Sequence, residues 1–135
     1  YSRQALPLYQ SKQSMFGLFG NQPKLPESWK QMESIQELEV ADQTSYNKPV
    51  VLFKHSTSCS ISSMAKSRLE GDTDVNSPEI YYLDLLAYRD VSNTIADKYG
   101  VRHESPQVIV LSNGQATYHA SHGRINMNDL KANAH

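Results

Sequence analysis

The sequence predicts an α/β fold with a mixed four-stranded sheet and helices on both faces. Two apolar runs, residues 50–53 and 80–86, are each followed by a segment with helical spacing, as in parallel strands joined by a crossover helix. A later apolar run, residues 108–111, is separated from the next strand-like segment by Asn113-Gly114, the strongest short-range signal for an antiparallel hairpin. The 135 residues are enough for one hydrophobic core.

The first part of the chain is predicted to be irregular. Residues 1–25 show no sustained hydrophobic period and are interrupted by proline and glycine. Met15 is a candidate native start, in which case some or all of the residues before it are of artificial origin. We therefore expect a single domain over residues 26–135, with room for a short additional strand near its N-terminus.

The domain is predicted to begin with a helix and a buried strand. Ser34 and Glu37 have the spacing of a capping box, which predicts a helix that begins there and ends before Asn47. Pro49 then precedes the apolar run at residues 50–53. Its β-branched residues favour a central strand that is covered on both faces.

A helix is predicted directly after Cys59, and another after the strand at residues 80–86. The first ends near Gly71, and its apolar residues have the spacing of one helix face: Ile61, Met64, Ala65 and Leu69. The second has Asp90 as a candidate N-cap and Gly100 at its end.

The chain is predicted to end with the hairpin and a short helix. Residues 116–120 form the second strand of the hairpin, antiparallel to residues 108–111. Asn126 and Asp129 have the spacing of a helix start. The chain therefore alternates helices and strands up to the hairpin and closes with a final helix.

Composition and charge exclude several classes of partner. The 13 basic and 14 acidic residues give a net charge of −1 and form no basic stripe, so we expect no nucleic-acid partner. No apolar run approaches the roughly 18 residues of a membrane span, so we expect no membrane partner. Cys59 is the only cysteine. A chain without a disulfide framework is expected in the reducing cytoplasm.

Cys59 is the candidate nucleophile because it lies where the predicted strand becomes a helix. Unsatisfied backbone N–H groups and the positive end of the helix dipole favour an ionised sulfur there. The hydroxyls of Thr57, Ser58 and Ser62 are candidates for hydrogen bonds to it. Ser62 occupies the place of the second cysteine of a Cys-x-x-Cys motif, so the thiol must exchange with an external partner. The alternative is a cysteine that only packs as a small hydrophobic residue.

Ser105 and Pro106 are candidates for the opposite wall of the site. A cis bond before Pro106 would place the backbone of Ser105 opposite Cys59, ready to pair with an extended substrate. The alternative is an ordinary proline at a strand start. Lys54 and His55 are further candidates for substrate binding, through positive charge near the thiolate or near a substrate carboxylate. Since successive strand residues point to opposite faces, at most one of these two faces the site.

The layout of a cysteine after a strand, a proline before a strand and a hairpin resembles the thioredoxin fold. More closely, Phe-Lys-His-Ser-Thr-Ser-Cys-Ser-Ile-Ser at residues 53–62 and Arg-His-Glu-Ser-Pro-Gln at residues 102–107 resemble the monothiol bacilliredoxins. These proteins belong to bacteria that use bacillithiol where others use glutathione. The similarity covers residues 29–130. Relatives often carry proline directly after the cysteine, whereas this chain has Ser60.

The resemblance implies a mechanism and its partners. Cys59 would attack the mixed disulfide between bacillithiol and a protein cysteine and take the bacillithiol onto itself, and a second bacillithiol would regenerate the thiol. Ser62 would replace the resolving cysteine, and Pro106 would be the cis-proline beside the site. Bacillithiol would be a cosubstrate, with no tightly bound cofactor, and bacillithiolated proteins would be the partners, in a stress response. We further expect a monomer or a weak dimer.

Two other functions stay open from the sequence alone. Monothiol glutaredoxins with a Cys-Gly-Phe-Ser motif bind an iron–sulfur cluster between two subunits, although here Ser60 and Ile61 replace Gly-Phe. A non-catalytic thioredoxin-like module would hold peptides in the cleft beside Pro106. His119 and His122 have no local cysteine or carboxylate at the spacing of a zinc site, so we expect no metal.

Overall fold

A five-stranded mixed sheet lies at the centre of the fold. The structure, a computed structural model, describes residues 25–135, so the predicted irregular segment up to residue 24 lies outside it. In chain order the strands are β1 Trp29–Gln31, β2 Val50–His55, β3 Glu79–Asp84, β4 Gln107–Ser112 and β5 Gln115–Ser121. Their order in the sheet is β1-β3-β2-β4-β5, with β1, β3 and β2 parallel, β4 antiparallel to β2 and β5 antiparallel to β4. The predicted α/β fold is confirmed, and β1 is the additional short strand.

Helices cover both faces of this sheet, as predicted. They are α1 Ile35–Thr44, α2 Ser60–Gly71, α3 Arg89–Tyr99 and α4 Met127–Asn133, with a 3₁₀ turn at His122–Arg124. The apolar residues of α2 and α4 join one core cluster, and those of α1 and α3 join the other. Within residues 25–135, no helix is both long and apolar enough to cross a membrane.

Two of the three predicted side-chain N-caps are confirmed. The side chains of Ser34 and Asn126 each accept a hydrogen bond from the backbone N–H three residues further on, at 3.1 and 2.9 Å. The third is wrong, because Tyr88 and not Asp90 is the N-cap of α3. Asp90 lies in the first turn, where its negative charge interacts favourably with the positive end of the helix dipole. The acidic residue therefore marks the helix start without capping it.

β2 is the most enclosed strand, and all six of its residues are buried. Val51 and Phe53 belong to the core under α2, whereas Val50 and Leu52 belong to the core on the opposite face. The central strand predicted from residues 50–53 is confirmed. It also continues into two buried polar residues at its carboxyl end.

α2 presents part of its apolar sequence to solvent. Ala65 and Leu69 are fully buried, but Ile61 and Met64 are 52% and 62% exposed. In a period of 3.6 residues, Ser62 shares the buried face with Ala65 and Leu69, and the other two residues fall outside it. The predicted helix is confirmed, whereas the assignment of all four apolar residues to one face is wrong. An exposed apolar pair therefore lies within two turns of the helix start.

The hairpin between β4 and β5 turns at Asn113 and Gly114, as predicted. Both residues have positive φ, 54° and 73°. Their N–H groups donate to the carbonyl and the hydroxyl oxygen of Ser45 at 2.8 and 2.9 Å. A Cβ atom on Gly114 would collide with the phenol of Tyr46. This position thus favours glycine because of its backbone conformation.

We expect Gly114→Ala to lower the free energy of unfolding by about 1–2 kcal/mol, the cost of a left-handed backbone for a residue with a Cβ atom. The clash with the Tyr46 phenol adds little to this cost, because that side chain is exposed and can turn aside. Gly123→Ala is the control, because a Cβ atom there meets nothing within 4 Å. The free energy of unfolding of both variants is measured by urea unfolding. An equal decrease in the free energy of unfolding for Gly114→Ala and Gly123→Ala would contradict this explanation.

Candidate active site

Cys59 lies at the junction of β2 and α2. It is the N-cap residue of α2, with extended backbone (φ −110°, ψ 124°), and it is half-buried. Its N–H donates to the Ser56 carbonyl at 3.2 Å, and its own carbonyl accepts from the Ser63 N–H at 3.0 Å. The first turn of α2 contains no acidic residue. The helix therefore brings only its positive end, and no carboxylate of its own first turn, to the sulfur.

The three hydroxyl residues predicted beside the sulfur have different surroundings. Ser62 is fully buried, and its Oγ accepts a hydrogen bond from the Ser56 N–H at 3.2 Å. The Oγ atoms of Ser58 and Ser56 are 3.3 Å apart, and Thr57 is exposed. Among residues 25–135, none donates a hydrogen bond to the sulfur of Cys59. In this structure the hydroxyls of Ser58 and Ser62 hold the loop that presents the sulfur.

Ser105 and Pro106 lie at the same sheet edge as Cys59. Lys54 is opposite Gln107 in the antiparallel pair of β2 and β4, so the end of β2 and the start of β4 meet there. The bond between Ser105 and Pro106 is cis. The Pro106 carbonyl accepts from the His122 N–H at 3.1 Å, whereas Ser105 forms no backbone hydrogen bond within the described residues.

Lys54 lies on the sheet face opposite α2, in the same row as Val50 and Leu52. It is fully buried, and its Nζ has no hydrogen-bond partner among residues 25–135. Burial lowers the pKa of Lys54 to about 8, opposed only by the negative charge of Glu104. The ammonium is therefore enclosed beneath the site and is not at its surface.

His55 lies on the face that α2 covers. Its ring centre is 5.4 Å from that of Tyr82 and 5.7 Å from that of Phe53. Burial lowers the pKa of His55, and the nearby charge of Lys66 lowers it further, against a smaller opposite effect of Asp84. Burial therefore disfavours the charged form of this imidazole. Lys54 and His55 were both predicted for substrate binding. Of these two, only His55 lies on the sheet face that is covered by α2, the helix that begins after Cys59.

A cleft beside α2 brings together side chains that sequence reasoning missed. It has a volume of about 200 Å³ and is lined by His55, Thr57, Ser63, Lys66, Ser67 and Tyr82. Ser63, Lys66 and Ser67 follow Cys59 by four, seven and eight residues, which is the spacing of one helix face. The sequence therefore contained a signal for the helical side of the cleft. It contained none for Tyr82, whose position depends on the register between β2 and β3.

The other histidines are exposed. His119 is on β5 and His122 follows it. His103 lies in the loop before β4, with its Nδ1 3.4 Å from the Ser92 Oγ. In the part of the chain that the structure describes, no three His, Cys, Asp or Glu side chains form a group that could hold a metal ion.

The fold and the site define a class, the thioredoxin-fold proteins that act through a thiol. One solved structure, provisionally described as an oxidoreductase with a thioredoxin fold, is 33% identical, with a TM-score of 0.70 over 78% of this chain and 92% of that one. The N21Q mutant thioredoxin from Halobacterium salinarum is 21% identical, with a TM-score of 0.57, and the match covers 82% of this chain and 91% of that one. A thioredoxin from Nicotiana alata is 16% identical, with a TM-score of 0.63, and the match covers 83% of this chain and 94% of that one. These last two share the fold.

The family follows from the sequence match. Residues 30–130 match the family model of the monothiol bacilliredoxin BrxC. The chain therefore belongs to the monothiol bacilliredoxin family, as the strings around Cys59 and Pro106 predicted, and has a thiol redox role.

Lys54→Met should raise the free energy of unfolding at pH 7 by about 3 kcal/mol, because a pKa lowered from 10.5 to about 8 costs 1.36 kcal/mol per unit. Between these two values the unfolded chain holds more protons than the folded one, so wild-type stability rises with pH. Urea unfolding should show the advantage of the variant shrinking by about 1.5 kcal/mol from pH 8 to 9.5. The tyrosines titrate in both proteins, so the difference isolates Lys54.

The control for this prediction is Lys48→Met, because Lys48 is exposed. It should leave both the stability and its pH dependence within about 0.5 kcal/mol of the wild type. A Lys54→Met variant with a constant difference from wild type across this pH range would contradict a buried, titrating ammonium.

Proposed function

We propose that the protein removes bacillithiol from protein mixed disulfides. The observation that carries the proposal is a single thiol at a helix start with no resolving partner. The place of a second cysteine is taken by Ser62, whose hydroxyl is engaged by the Ser56 N–H. An adduct on Cys59 therefore cannot be resolved by an internal disulfide and must be released by an external thiol.

In the first step, the Cys59 thiolate attacks the bacillithiol sulfur of the mixed disulfide. A new S–S bond forms between Cys59 and bacillithiol as the bond between bacillithiol and the substrate cysteine breaks. The electron pair of the broken bond leaves on the substrate sulfur, which takes a proton from water. The substrate protein thereby regains its thiol, and the positive end of α2 favours the negative charge on the attacking sulfur.

In the second step, another bacillithiol reacts as its thiolate with the bacillithiol sulfur held on Cys59. The S–S bond to Cys59 breaks, oxidised bacillithiol leaves and the Cys59 thiolate is restored. Over the cycle, one mixed disulfide and one bacillithiol become one protein thiol and one bacillithiol disulfide. No further oxidant or reductant is needed.

Two features beside Cys59 suit a protein substrate. The backbone of Ser105 has no backbone partner within the described residues and can pair with an extended segment. Ile61 and Met64 offer exposed apolar surface on the outer side of α2. Because all of these groups belong to one chain, a monomer is sufficient for the reaction, and the lone thiol suits the reducing cytoplasm.

The direct test incubates the protein with a bacillithiolated substrate and bacillithiol and follows release of the substrate thiol by mass spectrometry. Cys59→Ser should reduce the rate to that measured without protein, because serine is not ionised near neutral pH and cannot form the disulfide. Circular dichroism should show an unchanged fold. Release by Cys59→Ser at the wild-type rate would overturn the proposal.

Ser62→Cys should change the fate of the adduct. The introduced thiol can attack the sulfur of Cys59, expel bacillithiol and leave an internal disulfide, about 2 Da lighter than the reduced protein. Intact mass spectra without added bacillithiol should therefore show little adduct. Ser62→Ala, which adds no thiol, is the control and should retain the adduct. Equal adduct in both variants would contradict the assigned role of position 62.

A further inference from the structure

Charges of opposite sign lie on the two sides of β2 at the active edge, the sheet edge at which Lys54 is opposite Gln107. Because β1 and β3 are parallel to β2, they end at this same edge. β5 is antiparallel to β4 and also ends there. Since the strand order is β1-β3-β2-β4-β5, residues that follow β1 and β3 lie on one side of β2. Residues that precede β4 or follow β5 lie on the other side.

The β4 and β5 side of the active edge is basic. Arg102 precedes β4, His119 lies near the end of β5 and His122 follows it, and all three are exposed. Glu104 is the only acidic residue in the loop before β4, in β5 and in the 3₁₀ turn. The pKa of its carboxyl is lowered by the nearby Ser121 hydroxyl and then by the charges of His122, Arg102 and His119. One carboxylate therefore lies among three basic side chains.

The arginines of this side have no internal carboxylate partner. Within residues 25–135, all four ion pairs are formed by lysines, and Arg102 and Arg124 form none. Residues 1–24 contain no aspartate or glutamate. A guanidinium group pairs with a carboxylate through two parallel hydrogen bonds. These two exposed arginines can therefore pair with carboxylates of another molecule.

The β1 and β3 side of the active edge is acidic. Glu33 follows β1 and Asp84 ends β3, and Glu37 accepts a hydrogen bond from the Glu33 N–H at 2.7 Å. The pKa of Glu33 is raised by burial and then by the negative charges of Glu37 and Asp84, so the three carboxylates lie close together. Arg89 also follows β3. However, burial lowers the pKa of His103, and the charge of Arg89 is among those that lower it further, so Arg89 acts towards the basic side.

We propose that the protein segment that crosses Cys59 is itself polar in charge, with acidic residues over the β4 and β5 side and basic residues over the β1 and β3 side. The inference rests on the proposed function, in which a substrate protein presents a cysteine to Cys59. Neighbouring strands are about 4.8 Å apart, and an extended chain advances about 3.3 Å per residue. Residues two or three positions from the substrate cysteine therefore lie over the strands on either side of β2.

This arrangement selects partners and fixes their orientation. Each exposed ion pair contributes little affinity, but like charges placed opposite one another disfavour the wrong partner. A uniformly acidic segment would be repelled on the β1 and β3 side, and a uniformly basic one on the other side. A segment with one acidic and one basic flank satisfies both sides in one orientation only.

Two peptides of equal composition test this polarity. One carries two acidic residues before its cysteine and two lysines after it, and the other carries the same residues in reverse order. Each cysteine bears a thionitrobenzoate group. When the Cys59 thiolate attacks the peptide sulfur, a new disulfide forms, the bond to thionitrobenzoate breaks and its electron pair leaves on the coloured thiolate. Rates with β-mercaptoethanol correct for the intrinsic reactivity of the two peptides.

At low salt the two corrected rate constants should differ about tenfold, the combined effect of several exposed ion pairs. The ratio should approach one at about 1 M salt, because charges are then screened beyond about 3 Å. Arg102→Gln and Glu33→Gln should each lower the ratio about two- to threefold. Lys48→Gln is the control and should leave it unchanged, because Lys48 is exposed before β2, at the opposite end of that strand.

The outcomes separate this inference from the proposed function. Equal rate constants for the two peptides would overturn the polarity even if the protein releases bacillithiol from proteins. A ratio that Lys48→Gln lowers as much as Arg102→Gln would overturn it too, since net charge would then be the cause. A tenfold ratio in a protein that releases no bacillithiol would support the polarity and contradict the proposed function, because the peptide reaction contains no bacillithiol.

Discussion

The antiparallel pairing of β2 with β4 is the constraint on which the rest of the site depends. Because Lys54 lies opposite Gln107, the chain leaves β2 towards Cys59 at the edge where Pro106 leads into β4. A slip of two residues in this pairing would move the proline by about 7 Å along the strand. The apolar residues buried along both strands on each face of the sheet oppose such a slip. The core therefore fixes the position of Pro106 relative to the end of β2, from which the chain leads to Cys59.

At this edge of the sheet, polar side chains are found in the buried interior as well as on the surface. Lys54, Gln107 and Ser121 lie at facing positions on three adjacent strands, and each has a buried polar atom without a partner among residues 25–135. Apolar side chains of similar volume would stabilise the fold more. The fold thus combines an apolar sheet centre, which supplies the stability, with a less stable polar end beside which Cys59 lies.

Features that depend on local sequence were predictable, and features that depend on distant pairing were not. The capped helices, the hairpin and the buried run of β2 each follow from a few neighbouring residues. Cys59 and Pro106 could be placed from their motifs. The contact of His55 with Tyr82 requires the parallel register of β2 and β3, to which no local pattern points. The burial of Lys54 could not be predicted from the sequence either, because an unpaired lysine is almost never fully buried.

In the proposed reaction, bacillithiol passes through a covalent adduct on Cys59. Rapid mixing of the reduced protein with a bacillithiolated substrate, followed by acid quenching and intact mass spectrometry, tests it most directly. We expect the bacillithiol adduct of Cys59 to form as fast as the substrate thiol appears, before any oxidised bacillithiol. Accumulation of a disulfide between Cys59 and the substrate protein, or release of substrate thiol without an adduct, would contradict it.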